Sequence, residues 1–221
     1  MQQNGFAITT RTTVEWNHIM GDHPRKGWSS PDGKLYYHMI PKNASSYIGG
    51  ILDDWGWQLE TDHVDLRGKQ GMCVIREPIA RWISGITEFF HVIGITPDDV
   101  IANWQSYSKI FRYQPTQDGH TAPQVEFLHG YDLDDFDYWM MSEVVTIGNP
   151  LHTYLNTRGY ENWITNYERQ NTVDQDPGKK QIRDFIRETV KTDVDLRSRL
   201  KQYYRADYEL MEWIGKTKGW K

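Results

Sequence analysis

Residues 34–55, KLYYHMIPKNASSYIGGILDDW, decide the fold. From Leu35 to Ile40 the run is apolar and aromatic, the pattern of a buried strand. Pro41 interrupts it, and a short polar turn passes through Lys42, Asn43, Ala44, Ser45 and Ser46. Beyond the turn the period changes: Tyr47, Ile48, Ile51, Leu52 and Trp55 recur at the spacing of one helix face. A strand, a tight turn with a lysine, and hydroxyls opening a helix make the layout of a phosphate cradle. The N–H groups at a helix start and the positive end of its dipole favour an anion there. The turn is not a Walker A loop, because GxxxxGK[ST] is missing and the lysine precedes the hydroxyls. A blander reading stays open: Ser45 and Ser46 only cap a helix, a common use of serine, with Lys42 solvated beside them.

A second unit of the same kind follows. Trp57 to Leu66, WQLETDHVDL, reads as a second strand and its outgoing loop. Gly71 to Ile75, GMCVI, is a continuous apolar run typical of a buried parallel strand. It ends in Arg76, Glu77 and Pro78, and Pro78 suits the first turn of a helix, where its missing N–H costs nothing. In that helix Ile79, Ile83, Ile86 and Phe90 form the buried stripe. Arg81, Ser84 and Glu88 share a different, polar face. Strands alternating with helices predict an α/β layer fold around a mostly parallel sheet. Right-handed crossovers then put both turns, Lys42–Ser46 and Arg76–Pro78, at the same carboxyl edge.

The remainder is less distinctive. Residues 1–34 read as an irregular lead-in with a short strand near Phe6 to Thr10. His18 and His23 flank Asp22 there but lack a further ligand pair at metal-site spacing, so they read as loop histidines. TPDDV opens a helix over residues 97–113, with Val100, Trp104, Tyr107 and Phe111 on one face. The acidic run Asp132, Asp134, Asp135 and Asp137 lacks the glycine and terminal glutamate of a calcium loop and reads as a solvated turn and helix start. Val144 to Ile147 reads as a fourth strand and residues 151–178 as irregular. Residues 181–215 form C-terminal helices with stripes at Ile182, Phe185, Ile186, Val190 and at Leu196, Leu200, Tyr203, Leu210. No repeat or boundary divides residues 1–221, which predicts a single domain.

Composition narrows the class. With 38% hydrophobic and 25% charged residues the chain is globular, neither disordered nor membranous. No run approaches the roughly 18 apolar residues of a spanning helix, and the N-terminus lacks a signal-peptide pattern. The single cysteine, Cys73, favours a reducing compartment, so the expected location is cytoplasmic or otherwise soluble and intracellular, with no membrane partner. A net charge of −5 argues against nonspecific nucleic-acid binding but leaves room for a local basic pocket.

IPKNASS (residues 40–46) and IREPIARWISG (residues 75–85) together resemble the nucleotide-binding signature of sulfotransferases that use 3′-phosphoadenosine-5′-phosphosulfate (PAPS), most of all the Golgi carbohydrate branch. HTAPQVEFL (residues 120–128) is similar to a loop of that branch, and YYRADYELM (residues 203–211) resembles its closing helix. The four matches run in family order over residues 36 to 211. The resemblance implies a P-loop-like three-layer α/β/α domain, PAPS as donor, 3′,5′-adenosine bisphosphate (PAP) as product, and no metal. It implies that Lys42 neutralises or protonates the leaving oxygen. Asn43, Ala44, Ser45 and Ser46 then hold the 5′ end, and Arg76 with Ser84 holds the 3′-phosphate. In-line transfer depends on positioning and charge stabilisation, which suits these residue types. A terminal phosphate likewise suits a fixed cation and a hydroxyl.

The acceptor hydroxyl needs a general base, for which histidine is apt near neutral pH. Family members carry it just beyond the second strand, which here points to His63, then Glu60, with His120 as a rival. Arg81 either reinforces the phosphate site or pairs with Glu77 or Glu88. The chain is short for the branch and lacks its membrane anchor, stem and cysteines, features of a soluble bacterial or viral version. The acceptor is therefore open, a glycan or another hydroxyl compound. Two alternatives stand beside this reading: a P-loop-like phosphoryltransferase using a nucleoside triphosphate, and a non-catalytic nucleotide- or glycan-binding module.

Overall fold

A computed structural model describes residues 26–141, 148–160 and 176–221. Its strands are β1 (Gly27–Ser29), β2 (Leu35–His38), β3 (Gln58–Glu60), β4 (Gln70–Arg76) and β5 (Phe136–Met141). Interleaved with them are the helices α1 (Ser45–Asp54), α2 (Pro78–Val92), α3 (Pro97–Tyr113), α4 (Gln124–Phe127) and α5 (Gly148–Thr157). The helices α6 (Pro177–Thr192), α7 (Val194–Tyr203) and α8 (Arg205–Trp213) close the chain.

The sheet order is β3-β1-β2-β4-β5. The expected βα units supply its parallel half: β2 pairs with β4, and β4 with β5, in parallel. Among the described strands β1 alone runs the other way, antiparallel to both β2 and β3, which makes the mostly parallel sheet a mixed one. The reversal originates in the lead-in, which is not irregular up to residue 34. SSPDG folds into a tight turn in which Gly33 takes φ +71°, closing a hairpin between β1 and β2. A short hairpin can only join antiparallel strands. The second expected strand shrinks to Gln58–Glu60 on the outer edge, antiparallel to β1.

Three further expectations change. The acidic run is a turn, as expected, but a 3₁₀ turn at Leu133–Asp135 leads into strand β5 rather than a helix. Alternation explains this, since Phe136 and Tyr138 face one side and Trp139 the other. Part of residues 151–178 is helical, in α5 and the first turn of α6. The last stripe belongs to two helices that break at Tyr204. The strand at Val144–Ile147, the strand near Phe6 and the histidines His18 and His23 lie outside the described residues.

Helices cover both sheet faces. Leu35, Tyr37, Met72, Val74 and Trp139 pack with Ile48, Ile51 and Leu52 of α1 and with Leu151 and Leu155 of α5. Tyr36, Cys73, Ile75, Phe136 and Tyr138 pack on the opposite side with Val125, Phe127 and Leu210. A third cluster joins α2, α3, α6 and α7. Among the described residues no helix is long and apolar enough to cross a membrane.

The seat of α1 is unusually close. A Cβ on Gly49 would lie 2.5 Å from the Trp28 ring, which is itself held by an indole N–H donated to Asp53 Oδ1 at 2.6 Å. Gly49→Ala is expected to destabilise the fold by about 1–3 kcal/mol, the usual cost of overpacking. Urea unfolding measures this, and a wild-type midpoint would refute the close seating.

Candidate functional site

The site begins where β2 stops. Its pairing with β4 ends at His38 and Cys73, whereas β4 and β5 stay paired as far as Arg76 and Met141. Pro41 has no N–H to continue the ladder, so the chain turns away. Both Lys42 (φ 69°) and Ala44 (φ 60°) adopt left-handed backbone, the only non-glycine residues to do so among those described. Such conformations cost about 1–3 kcal/mol each and cluster at functional sites.

Two side-chain amides fill the gap that β2 leaves beside β4. Buried Asn43 donates from Nδ2 to the Val74 carbonyl and to Gln124 Oε1, both at 2.7 Å. Gln124 Oε1 also accepts the Arg76 N–H at 3.0 Å, and its Nε2 donates to the Arg76 carbonyl at 2.8 Å. Arg76 in turn donates from a terminal guanidinium nitrogen to the Lys42 carbonyl at 3.0 Å. The two turns expected at one sheet edge are therefore joined directly. Asn43 departs from its expected role: its N–H is directed at the Ile40 carbonyl at 3.3 Å, and its side chain braces the turn.

Ser45 and Ser46 do not cap α1. The cap position is Ala44, with no side-chain cap bond. Serine capping requires the hydroxyl to sit before the first helical residue, and here both serines lie inside the helix. The helix start is open, with Ser45 half-buried and Ser46 exposed. Ser84 is half-buried on α2, one turn from Arg81 and one from Glu88.

Lys42 faces a carboxylate. Its Nζ donates to Glu88 Oε2 at 3.1 Å, and Lys179 near the start of α6 reaches both Glu88 oxygens at 3.1 and 3.2 Å. Lys42 is 20% exposed, Lys179 14% and Glu88 23%. Burial pulls the Lys42 ammonium below its ordinary range; Lys179 and Arg76 add to this, and Glu88 opposes it. Burial alone would raise Glu88, but the two lysines outweigh it and hold its carboxyl low. Two ammonium groups thus share one carboxylate, and the Arg76 guanidinium acts on Lys42 through space. Lys179 sits 137 positions after Lys42 in the chain and carries no sequence signal that would select it.

Arg81 pairs with neither Glu77 nor Glu88. Its buried guanidinium donates to three carbonyls: Pro41 at 2.9 Å, Gly119 at 3.3 Å, and Ala122. Position decides this, because Glu77 is occupied in capping α2 and in accepting from the Tyr208 hydroxyl. The loop that Arg81 grips is packed hard on α2, where a Cβ on Gly85 would lie 2.3 Å from the His120 carbonyl oxygen. From the other side the Tyr204 hydroxyl donates to the Thr121 carbonyl. The Asp207 carboxylate accepts the N–H groups of Gln124 (2.9 Å) and Val125 (3.0 Å). All four segments that carry the resemblance meet here.

His63 packs against Tyr131. It is exposed, with its ring 4.4 Å from the Tyr131 ring at 36°, and is not a partner of Lys42. Glu60 ends β3 opposite Gly27, at the outer edge of the sheet. His120 lies in the loop that Arg81 grips. Its Nδ1 lies 2.9 Å from Asp118 Oδ2, and Asp118 Oδ1 accepts the His120 N–H at 2.9 Å. Burial acts to raise Asp118, but the bonds and charge of His120 and the Thr121 N–H outweigh it and hold the carboxyl low. Among the described residues no group of three or more His, Cys, Asp or Glu side chains is placed to hold a metal ion.

No family model matches the chain, and neither does any curated protein or solved structure compared with it.

Glu126, near both Asp207 and Arg81, yields a pH prediction. Burial and the Asp207 charge push its carboxyl from an ordinary 4.5 up to about 7, against the pull of Arg81. The folded chain therefore keeps a proton that the unfolded chain releases, and stability declines as pH rises from about 4.5 to about 7. Glu126→Gln should remove that decline, gaining on the order of 1–3 kcal/mol relative to wild type at pH 8 compared with pH 5. Urea unfolding at the two pH values checks it; parallel behaviour of the two proteins would refute it.

Proposed function

We propose that this chain is a PAPS-dependent sulfotransferase of P-loop-like α/β/α architecture, transferring the sulfuryl group to an acceptor hydroxyl by in-line displacement. One observation carries the reading: the Arg76 guanidinium bonds to the Lys42 carbonyl, so the two turns of the resemblance form a single anion-binding edge. A nucleotide with phosphates at both ends needs such a paired site, whereas a nucleoside triphosphate presents one contiguous chain of phosphates.

The roles follow from chemistry. The open start of α1, with the N–H groups and hydroxyls of Ser45 and Ser46, suits the 5′ end. Arg76 and Ser84 suit the 3′-phosphate. The donor supplies an activated sulfuryl group on a phosphate leaving group. Lys42 meets the charge that develops on the leaving oxygen, and a partly buried ammonium does so more strongly than a solvated one. Lys179 adds a second ammonium at the same place. Glu88 keeps the two lysines together, and an anionic donor competes with it for them.

Calorimetry tests the donor end: PAP should bind more tightly than ADP or ATP. Arg76→Ala should weaken PAP binding by about 1.5–3 kcal/mol, the range of a charge-assisted contact. Lys42→Ala should abolish sulfate transfer from labelled donor to a panel of glycans, phenols and tyrosyl peptides. Equal or tighter ATP binding, indifferent to Arg76→Ala, would overturn the assignment.

A further inference from the structure

We infer that Asp118 and His120 form the base that activates the acceptor, with Arg81 as the positioning residue that ties this pair to the donor turn. The inference rests on the sulfotransferase reading and moves the base away from His63. Three geometric observations carry it.

The first is the pair itself. With Nδ1 donating to Asp118 Oδ2, the imidazole is fixed in the tautomer whose Nε2 carries a lone pair, and the carboxylate stabilises the imidazolium that forms when Nε2 takes a proton. A second bond, from the His120 N–H to Asp118 Oδ1, fixes backbone and ring together. The ring is 41% exposed, so it is open to an acceptor from solution.

The second is the strap. A guanidinium is a rigid fork, and that of Arg81 holds Pro41, which opens the Lys42 turn, together with Gly119 and Ala122 on either side of His120. One side chain's reach therefore separates the lysine turn from the histidine loop. The third is the seat on α2: a Cβ on Gly85 would lie 2.3 Å from the His120 carbonyl oxygen, so the loop is held at a fixed height on that helix. The carboxylates that act on Arg81 behind the loop are Asp207, Glu126 and Asp118.

The step balances without a further reactant. The acceptor O–H proton passes to His120 Nε2 as the acceptor oxygen bonds to sulfur. The bond between sulfur and the bridging phosphate oxygen breaks, and its electron pair leaves with the phosphate of PAP, where Lys42 meets the charge. His63, tilted against Tyr131, is assigned no step in this scheme.

The test compares His120→Gln, Asp118→Asn and His63→Gln on the whole chain, using PAP calorimetry and release of labelled sulfate to the acceptor panel and to water. His120→Gln should lower turnover about 100-fold or more and leave PAP affinity within about twofold. Asp118→Asn should lower turnover about 10-fold or more through kcat, with PAP affinity within about twofold of wild type, because the ring loses the partner that fixes its tautomer. His63→Gln should stay within about threefold of wild type. Turnover retained in His120→Gln, or lost in His63→Gln alone, overturns the assignment while the donor reading stands. Loss of PAP binding in His120→Gln, equal to its loss of turnover, makes the residue structural and also overturns it. A wild type that neither prefers PAP to ATP nor releases sulfate sinks the donor reading, and the base falls with it.

Discussion

The structure depends on how the end of β4 is satisfied after β2 departs. A strand presents the N–H and C=O of alternate residues to the same side, so Val74 and Arg76 both turn toward the space that β2 vacates at Pro41. Buried backbone groups left without partners cost about 1–3 kcal/mol each. Water is one solution, but here Asn43 and Gln124 provide another, their amides acting as a continuation of the missing strand. The consequence is positional. Asn43 belongs to the lysine turn and Gln124 to the histidine loop, so completing the sheet also assembles the site. A hydrophobic contact would not impose this, because only hydrogen bonds specify which atoms must meet.

Charge follows the same geometry. The chain is acidic overall, at −5, yet Lys42, Arg76, Lys179 and Arg81 gather at one edge of the sheet. Like charges brought together out of water repel and lose hydration, and the depressed Lys42 ammonium expresses both effects. Glu88 reduces the repulsion without cancelling it, since it answers two lysines with one carboxylate. An edge with this residual positive charge, beside an open helix start, attracts anions whatever the sign of the whole molecule. Net charge described the surface, and the local arrangement describes the chemistry.

The parts legible in the sequence were those written in local periodicity. The change from period 2 to period 3.6 across Pro41 located β2, the turn and α1. The apolar GMCVI run located β4, and Pro78 located the start of α2. What escaped was nonlocal or two-sided. Strand β5 sat behind an acidic run whose charges masked the alternation of Phe136, Tyr138 and Trp139. The antiparallel edge came from a three-residue strand too short to show a period. In the site, Lys42, Arg76 and Ser84 were visible as motif positions. Gln124 stood in the HTAPQVEFL segment, but its bracing of Arg76, 48 positions away, did not show. Lys179 was not visible, because its partner Glu88 lies 91 positions away and only the folded chain joins them. Of the histidines, His63 was favoured by its place after a strand. The chain leaving that edge strand lays it on Tyr131, whereas the loop carrying His120 is drawn to the centre.

Arg81 shows why that draw is firm. A fully buried cation is costly unless hydrogen bonds and charge compensate it. Among the described residues no ion pair reaches it; three carbonyls accept its N–H groups, and Asp207, then Tyr204, Glu126 and Asp118, oppose the cost of burial through space. A lysine could not serve here. Its ammonium is a point charge on a flexible stem that burial readily deprotonates, and it cannot bridge carbonyls on two segments at fixed separation. Guanidinium stays charged and planar, so its geometry dictates the distance between the turn and the loop. Nor is the loop free to follow some other arrangement, because Tyr204 and Asp207 hold its far side from the C-terminal helices. The spacing between the lysine turn and the histidine loop is thus set by a rigid fork on α2 and closed by the last elements of the chain. The site forms only when the whole fold does.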